Sequence, residues 1–259
     1  MPITSLYNQN NFTDQLMFEF TQALDGKMTG FYTVSDKKKK MLYYLVNSFD
    51  FTKPHSFEEW KDFISAIEEY DRDDYCGFGY SFRGVFTKFF SWSIPAKEAI
   101  DAIKTFVGDS TINEYMSGSA YWAYLMQNEG INIIPSDLSY NPKQEENKKW
   151  VSGDCLRKNF VPMVEKDIRA VGKKEIKGKV VMLSWIPCGS NMANNLLLKM
   201  YKGQKLILVG EGEGGCTGSD KFFGILKDSF EEVKVSKKKS YFPCFSGLWD
   251  DITFWQKVV

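Results

Sequence analysis

One stretch, Asn113 to Asp137 (NEYMSGSAYWAYLMQNEGINIIPSD), constrains the fold more than any other part of the chain. It reads as a small-residue turn, a helix and a strand closed by an acid. Ser117, Gly118, Ser119 and Ala120 form the turn, and Glu114 stands just before it. Tyr121 to Glu129 continue as a helix, with Ala120, Ala123, Leu125 and Met126 available for packing. Gly130 stops that helix, because glycine takes the left-handed cap without steric cost. Ile131 to Ile134 is a short β-rich run, and Asp137 follows it. Small residues let a ligand approach the backbone, a helix start presents N–H groups, and an acid past the next strand can accept both hydroxyls of a ribose.

The chain beyond this unit keeps alternating. Lys179 to Trp185 (KVVMLSW) is a continuous apolar run after a Lys/Gly-rich turn, the mark of a strand buried on both faces. Met192 to Tyr201 predicts a helix, Leu206 to Val209 a second buried strand, and Ser219 or Asp220 a cap for a helix through Leu226. Phe160 to Val164 predicts the strand between the two units, and Asp251 to Val258 a last one. Strand–helix alternation from residue 112 onward implies a mostly parallel α/β sheet wound on both faces.

The part before residue 92 is different. Residues 13–25 carry a helical apolar stripe, Leu16, Met17, Phe20 and Leu24. Ser56-Phe57-Glu58-Glu59 is a capping box ahead of Trp60, Phe63, Ile64 and Ile67. Past residue 92, at the start of the second region, Pro95 suits the first position of a helix with Ile100, Ile103, Phe106 and Val107 on one face. A mainly helical region, 1–91, therefore precedes an α/β domain, 92–259.

Composition removes several classes of chemistry. Thirty-three basic residues balance 33 acidic ones, so no global field draws the chain to nucleic acid or to a membrane. There is one histidine, His55, so a triad or a histidine-based metal centre has almost nothing to be built from. Cys76, Cys155, Cys188, Cys216 and Cys244 are odd in number and contain no C-x-x-C pair, which favours a reducing, cytoplasmic setting and no zinc site. Neither a signal peptide nor a membrane-spanning apolar run is expected. The lysine runs Lys37–Lys40 and Lys237–Lys239, and Arg83 and Lys88 interleaved with Phe82, Phe86, Phe89 and Phe90, are the features that point to RNA, and a solvated charge run and core packing explain them as well.

The stretch from Glu114 resembles the first motif of class I S-adenosylmethionine-dependent methyltransferases, roughly E-x-G-S-G-x-G-Y-W-A followed by V-x-x-x-D. Glu114, Ser117, Gly118, Tyr121, Trp122, Ala123 and Asp137 match it, while Met116 and Ala120 replace two of its glycines. The resemblance covers about residues 92–259. It implies a Rossmann-like methyltransferase sheet, mostly parallel with an antiparallel last strand and helices on both faces. It implies S-adenosyl-L-methionine as cofactor, held by Glu114, Ser117, Gly118, Ser119, Ala120 and Asp137, with Asp167 and Ile168 at the adenine. Asp154 is a rival to Asp167, but it leaves too little chain after Asp137 for a helix and a strand. The family's N-P-P-Y or W-P-P position falls on Trp185-Ile186-Pro187, beside the reacting group, and Trp92 and Ser93 fall where residues border the cofactor. The loop GEGEGGCTGSD lacks the lysine of a Walker loop and carries Glu211 and Glu213, so it reads as a tight connection, with Glu211 facing a substrate pocket.

The function implied is methyl transfer to an acceptor that the residues do not identify. Two alternatives stand beside it: a non-catalytic binding module whose cofactor loop Met116 and Ala120 narrow, and an RNA-directed methyltransferase.

Overall fold

The architecture follows from which way the apolar strand residues point. In β4, Val180–Ser184, Val180 and Met182 enter one hydrophobic core while Val181 and Leu183 enter another. In β5, Lys205–Gly210, Ile207 and Val209 join the first core and Leu206 and Leu208 the second. A strand that is apolar on both faces must be covered on both, and it is. The computed structural model describes residues 36–71, 83, 86–87, 89–138, 159–235 and 242–259.

Seven strands make one sheet: β1 (Ile112–Tyr115), β2 (Ile133–Asp137), β3 (Val164–Glu165), β4, β5, β6 (Phe230–Glu232) and β7 (Asp251–Lys257). Their order is β3-β2-β1-β4-β5-β7-β6. The first five run parallel, and β7 runs antiparallel to both β5 and β6. This is the Rossmann-like methyltransferase sheet implied by the resemblance. The connection order reverses between β1 and β4, which opens a crevice at their carboxyl ends.

Among the described residues, three helices cover the first face ahead of β1: α1 (Asp36–Ser48), α2 (Phe57–Asp71) and α3 (Lys97–Val107). After β1, α4 (Tyr121–Asn128) joins them. Trp60, Phe63, Ile64 and Ile67 of α2 are all buried there with Ile100 and Ile103 of α3 and Tyr121 of α4. Phe49, Phe51, Trp60, Phe86 and Phe90 interlock at ring separations of 4.7–6.0 Å. The Tyr121 hydroxyl donates to the Phe51 carbonyl at 2.8 Å, tying α4 to the chain ahead of α2. On the second face lie α5 (Asn194–Lys199) and α6 (Asp220–Ser229), through Leu196, Leu197, Phe222 and Leu226.

The capping box is formed as expected. The Ser56 amide and hydroxyl donate to Glu59 at 2.7 and 2.8 Å, and the Glu59 amide donates back to the Ser56 hydroxyl at 3.3 Å. Ser56→Ala should destabilise the protein by about 1 kcal/mol, lowering its melting temperature by about 2–4 °C in calorimetry. The single histidine is structural: His55 stacks on Phe49 at 4.0 Å, and its Nε2 meets the Asp50 carbonyl at 2.7 Å.

Four expected boundaries are corrected. Pro95 precedes the cap and is not the first helical residue: α3 begins at Lys97, because Ala96 is held extended in a bridge to His55. The strand after α4 starts at Ile133, since the Ile131 amide still closes the helix on the Met126 carbonyl, so Asp137 ends β2. The strand expected at Phe160 to Val164 is only Val164–Glu165. Phe160 and Val161 are buried in the first core, and the Phe160 amide goes to the Ser119 carbonyl. The helix expected from Met192 to Tyr201 is Asn194–Lys199. The helix expected at residues 13–25, the lysines 237–239 and Asp154 lie outside the described residues.

Candidate active site

The crevice at the carboxyl ends of β1, β2 and β4 gathers the residues of the motif. Glu114, third in β1, is completely buried. One of its oxygens accepts from the Ser184 hydroxyl at the end of β4, at 3.1 Å. The other is buried and has no hydrogen-bond partner among the described residues. Burial pushes its carboxyl up to about 8, and the charge of Asp137 adds to that while Ser184 opposes it. Glu114 therefore keeps its proton at neutral pH.

The turn after β1 is clamped to the neighbouring strand. The Ser117 amide and hydroxyl both donate to the Ser136 carbonyl, at 3.3 and 3.0 Å. The Gly118 amide donates to Asp137 at 2.7 Å, so the acid that ends β2 holds the middle of the turn. The Ser119 hydroxyl donates to the Phe90 carbonyl. Ala120 is the N-cap of α4 and makes no side-chain cap bond, which leaves the first N–H groups of the helix for another acceptor.

Met116, Gly118 and Ala120 all adopt the left-handed conformation, with φ of 60°, 56° and 62°. This explains glycine in the family pattern and the strain where this chain lacks it. Met116 packs against the second core, and Ala120 is fully buried in the first. At Gly118 an added Cβ would meet nothing within 4 Å, so the space over the turn is open.

Asp167 lies two residues past β3 and caps a short 3-10 turn, Ile168–Ala170. Its carboxylate binds the Arg169 guanidinium at 2.7 and 2.9 Å and is held below the usual carboxylate range by those bonds. Ile168 is buried in the second core.

A second group sits where β4, β5 and β7 meet. Trp185 follows β4 with φ of 49°, a strained value for a large side chain. Its indole N–H donates to Asp250 at 2.8 Å, and its ring stacks on Trp92 at 5.1 Å. The Arg83 guanidinium lies 5.3 Å from the Trp92 ring and 5.6 Å from the Trp185 ring. Pro187 bridges to Thr217 across the two loops. Glu211 is buried, and its carboxylate accepts from the amides of Cys216 and Trp249. The loop closes around this side chain: a Cβ at Gly215 would lie 2.5 Å from the Glu211 Cβ. The Gly-rich loop is thus a tight connection built on an internal acid.

Asp250 and Ser184 are the residues that sequence reasoning missed, and Arg83 was read only as a base among aromatic residues. Asp250 reaches this edge because β7 is antiparallel, which places Asp251, next to it, opposite Gly210 at the carboxyl end of β5. No sequence motif marks it. Burial pushes its carboxyl up to about 7, against the opposing effect of the Trp185 bond. The Ser93 hydroxyl is 3.2 Å from the Trp122 indole N–H and buried beneath this group. Among the described residues, no cluster of three or more His, Cys, Asp or Glu side chains could hold a metal ion, and no helix is long and apolar enough to cross a membrane.

No family model and no curated protein matches the chain. Among solved structures it is similar to the CcbJ methyltransferase of Streptomyces caelestis, at 9% identity over 62% of this chain and 89% of that one, with a TM-score of 0.41. It is similar to Sp1610 of Streptococcus pneumoniae in complex with S-adenosyl-L-methionine, at 16% identity over 62% and 73% of the two chains, TM-score 0.39. A third is magnesium protoporphyrin IX methyltransferase from Synechocystis PCC 6803 with bound cofactor, at 10% identity over 98% and 99%, TM-score 0.37. At these identities and scores the likenesses do not assign a function.

Proposed function

We propose that the chain is an S-adenosyl-L-methionine-dependent methyltransferase. Residues 92–259 hold the cofactor, and the helical residues before them shape the acceptor side. The observation that supports this most directly is Glu114, a fully buried carboxyl with one oxygen on Ser184 and the other without a partner among the described residues. An orphaned buried polar atom costs about 1–3 kcal/mol, which a polar group on a ligand offsets. It lies at the switch point of the sheet, the place where ligands bind in this architecture.

The residues present fit the cofactor. Asp137 would take ribose hydroxyls while it holds the turn through Gly118. Ser117, Gly118, Ser119 and Ala120 supply a close-approach backbone and an uncapped helix start. Glu114 would face the amino group, and Asp167 and Ile168 stand past β3, where the resemblance puts the adenine. When bound, the cofactor supplies a methyl group already activated on a sulfonium sulfur. The work left to the chain is alignment and exclusion of water, with a base only where the acceptor needs one. Trp185 and Pro187, past β4, and Glu211, past β5, frame the side from which an acceptor would enter.

The alternative of a non-catalytic module rests on crowding of the turn by Met116 and Ala120. The burial of Ala120 in the first core and the packing of half-buried Met116 against the second work against it. The free thiols of Cys188, Cys216 and Cys244 fit the reducing, cytoplasmic setting read from the sequence.

Thermal unfolding with S-adenosyl-L-methionine and with its demethylated product tests the reading. At about a hundred times its dissociation constant either ligand should stabilise the fold by about 2.7 kcal/mol, a rise of about 5–10 °C for a chain of this size. A folded sample that shifts with neither ligand would rule the cofactor out.

A further inference from the structure

Four observations converge on the Trp92–Trp185–Asp250 group. Trp92 is 44% exposed although it stacks on Trp185 and lies against Arg83. Trp185 is held in a left-handed conformation by its own amide bond to the Val209 carbonyl and by its indole bond to Asp250. Strain of this kind persists where surrounding contacts over-determine it, and such positions cluster at functional sites. Asp250 is nearly buried, yet its second oxygen takes no hydrogen bond among the described residues. The group stands at the carboxyl edge of the sheet, one residue along β4 from Ser184 and hence from Glu114.

Each feature narrows the ligand. An exposed indole over a second indole offers a flat π face, and a guanidinium beside it strengthens the hold on an electron-rich ring. A single buried carboxyl with one oxygen unengaged offers one acceptor at the edge of that face. A saturated alcohol would use the acceptor but not the π face, and a flat ether the π face but not the acceptor.

We propose that Trp92, Trp185 and Asp250 form the acceptor subsite, and that it takes a flat unsaturated ring carrying an ionisable O–H or N–H that faces Asp250. The proton leaves the ring substituent for the free oxygen of Asp250, and the electron pair stays on the substituent, making it the nucleophile. The groups that face Asp250 set its readiness to accept: Glu211 raises its affinity for a proton, Arg83 lowers it, and Cys244 lies against its backbone carbonyl. Burial leaves it titrating near neutrality, so it accepts a proton above about pH 7. The proposal rests on the methyl-transfer reading for its purpose, though not for its binding chemistry.

Calorimetric titration of the full chain with three probes tests it: 2-naphthol, its flat ether 2-methoxynaphthalene, and the saturated alcohol decahydro-2-naphthol. At pH 8 the structure predicts that 2-naphthol binds about tenfold more tightly than either of the others, the scale of one ring-stacking contact or one charged hydrogen bond. Trp92→Ala should weaken 2-naphthol by about tenfold. Asp250→Asn should erase its advantage over the ether while leaving the ether's affinity unchanged. Cofactor affinity, from the melting shift, should stay within about twofold in Asp250→Asn, since Asp250 touches none of the residues assigned to the cofactor except through Trp185. Equal binding of flat and saturated probes, or 2-naphthol binding indifferent to Trp92, would overturn the subsite. So would a Trp92→Ala variant that loses the cofactor and keeps the ring. If the wild type ignores the cofactor yet binds 2-naphthol through Trp92, the ring subsite stands and the methyl-transfer reading falls.

Discussion

Asp137→Ala is expected to lower cofactor affinity by about a hundredfold or more, measured by calorimetry or by loss of the melting shift. Two hydrogen bonds from ribose hydroxyls to a carboxylate are worth about 1.5–3 kcal/mol each, and tenfold in affinity is about 1.4 kcal/mol. The same carboxylate accepts from the Gly118 amide at 2.7 Å, so alanine also frees the turn that shapes the site. Asp137→Asn separates the two effects. Asparagine retains an acceptor for Gly118 but loses the charge and half of the acceptor capacity, so its affinity should fall between wild type and alanine. Both variants should fold, because Asp137 is only half-buried at the end of β2. Unchanged affinity in a folded alanine variant would remove Asp137 from the cofactor site.

Glu114→Gln is expected to change how stability depends on pH. In the unfolded chain this carboxyl ionises near 4.5, and in the folded protein near 8. Between those values the folded state retains a proton that the unfolded state has released, so stability falls as pH rises through the window and is constant above it. Each unit is worth about 1.4 kcal/mol, which makes the loss between pH 5 and 8 about 4 kcal/mol. Glutamine does not titrate. Its stability relative to wild type should therefore improve by about 4 kcal/mol from pH 5 to 8 in urea unfolding, whatever the offset at pH 5. A difference that stays flat across the window would mean that Glu114 is ionised in the folded protein. The variant also removes the group assigned to the cofactor's amino end, so it should gain stability in alkali and lose affinity together. That pairing is the expected signature of strain kept at a site for function.

Much of the sheet was legible in the chain. The continuous apolar runs at Val180–Ser184 and Lys205–Gly210 announce strands buried on both faces, and the turn–helix unit after Glu114 announces the crevice beside them. Strand ends were less legible, because they depend on partners. Ile131 is β-prone but closes α4, and Phe160 is β-prone but packs in the aromatic core. The site was legible where it follows one continuous segment. Glu114, the turn from Ser117 to Ala120 and Asp137 lie within one such unit, and the structure brings them together. Glu211 was expected to face a pocket, whereas its carboxylate is committed to the amides of its own loop and of Trp249. A sequence shows that an acid is present but not which backbone N–H groups reach it first.

The sequence by itself determined the order of elements and the chemistry of the first turn, because hydrophobic period, caps and small-residue turns act between near neighbours. A single histidine and five scattered cysteines without a C-x-x-C pair leave little from which a triad or a disulfide framework could be built. Tertiary structure alone decided which side chains were left without partners. Glu114 becomes an orphaned acid only when β4 brings Ser184 to one of its oxygens and no described residue reaches the other. Asp250 joins Trp185 only because β7 returns antiparallel. Ala120, which in the sequence stands as an obstruction, is buried in the first core, and Met116 packs half-buried against the second. Such outcomes depend on burial and on contacts between residues as many as 70 positions apart, and no local pattern encodes them.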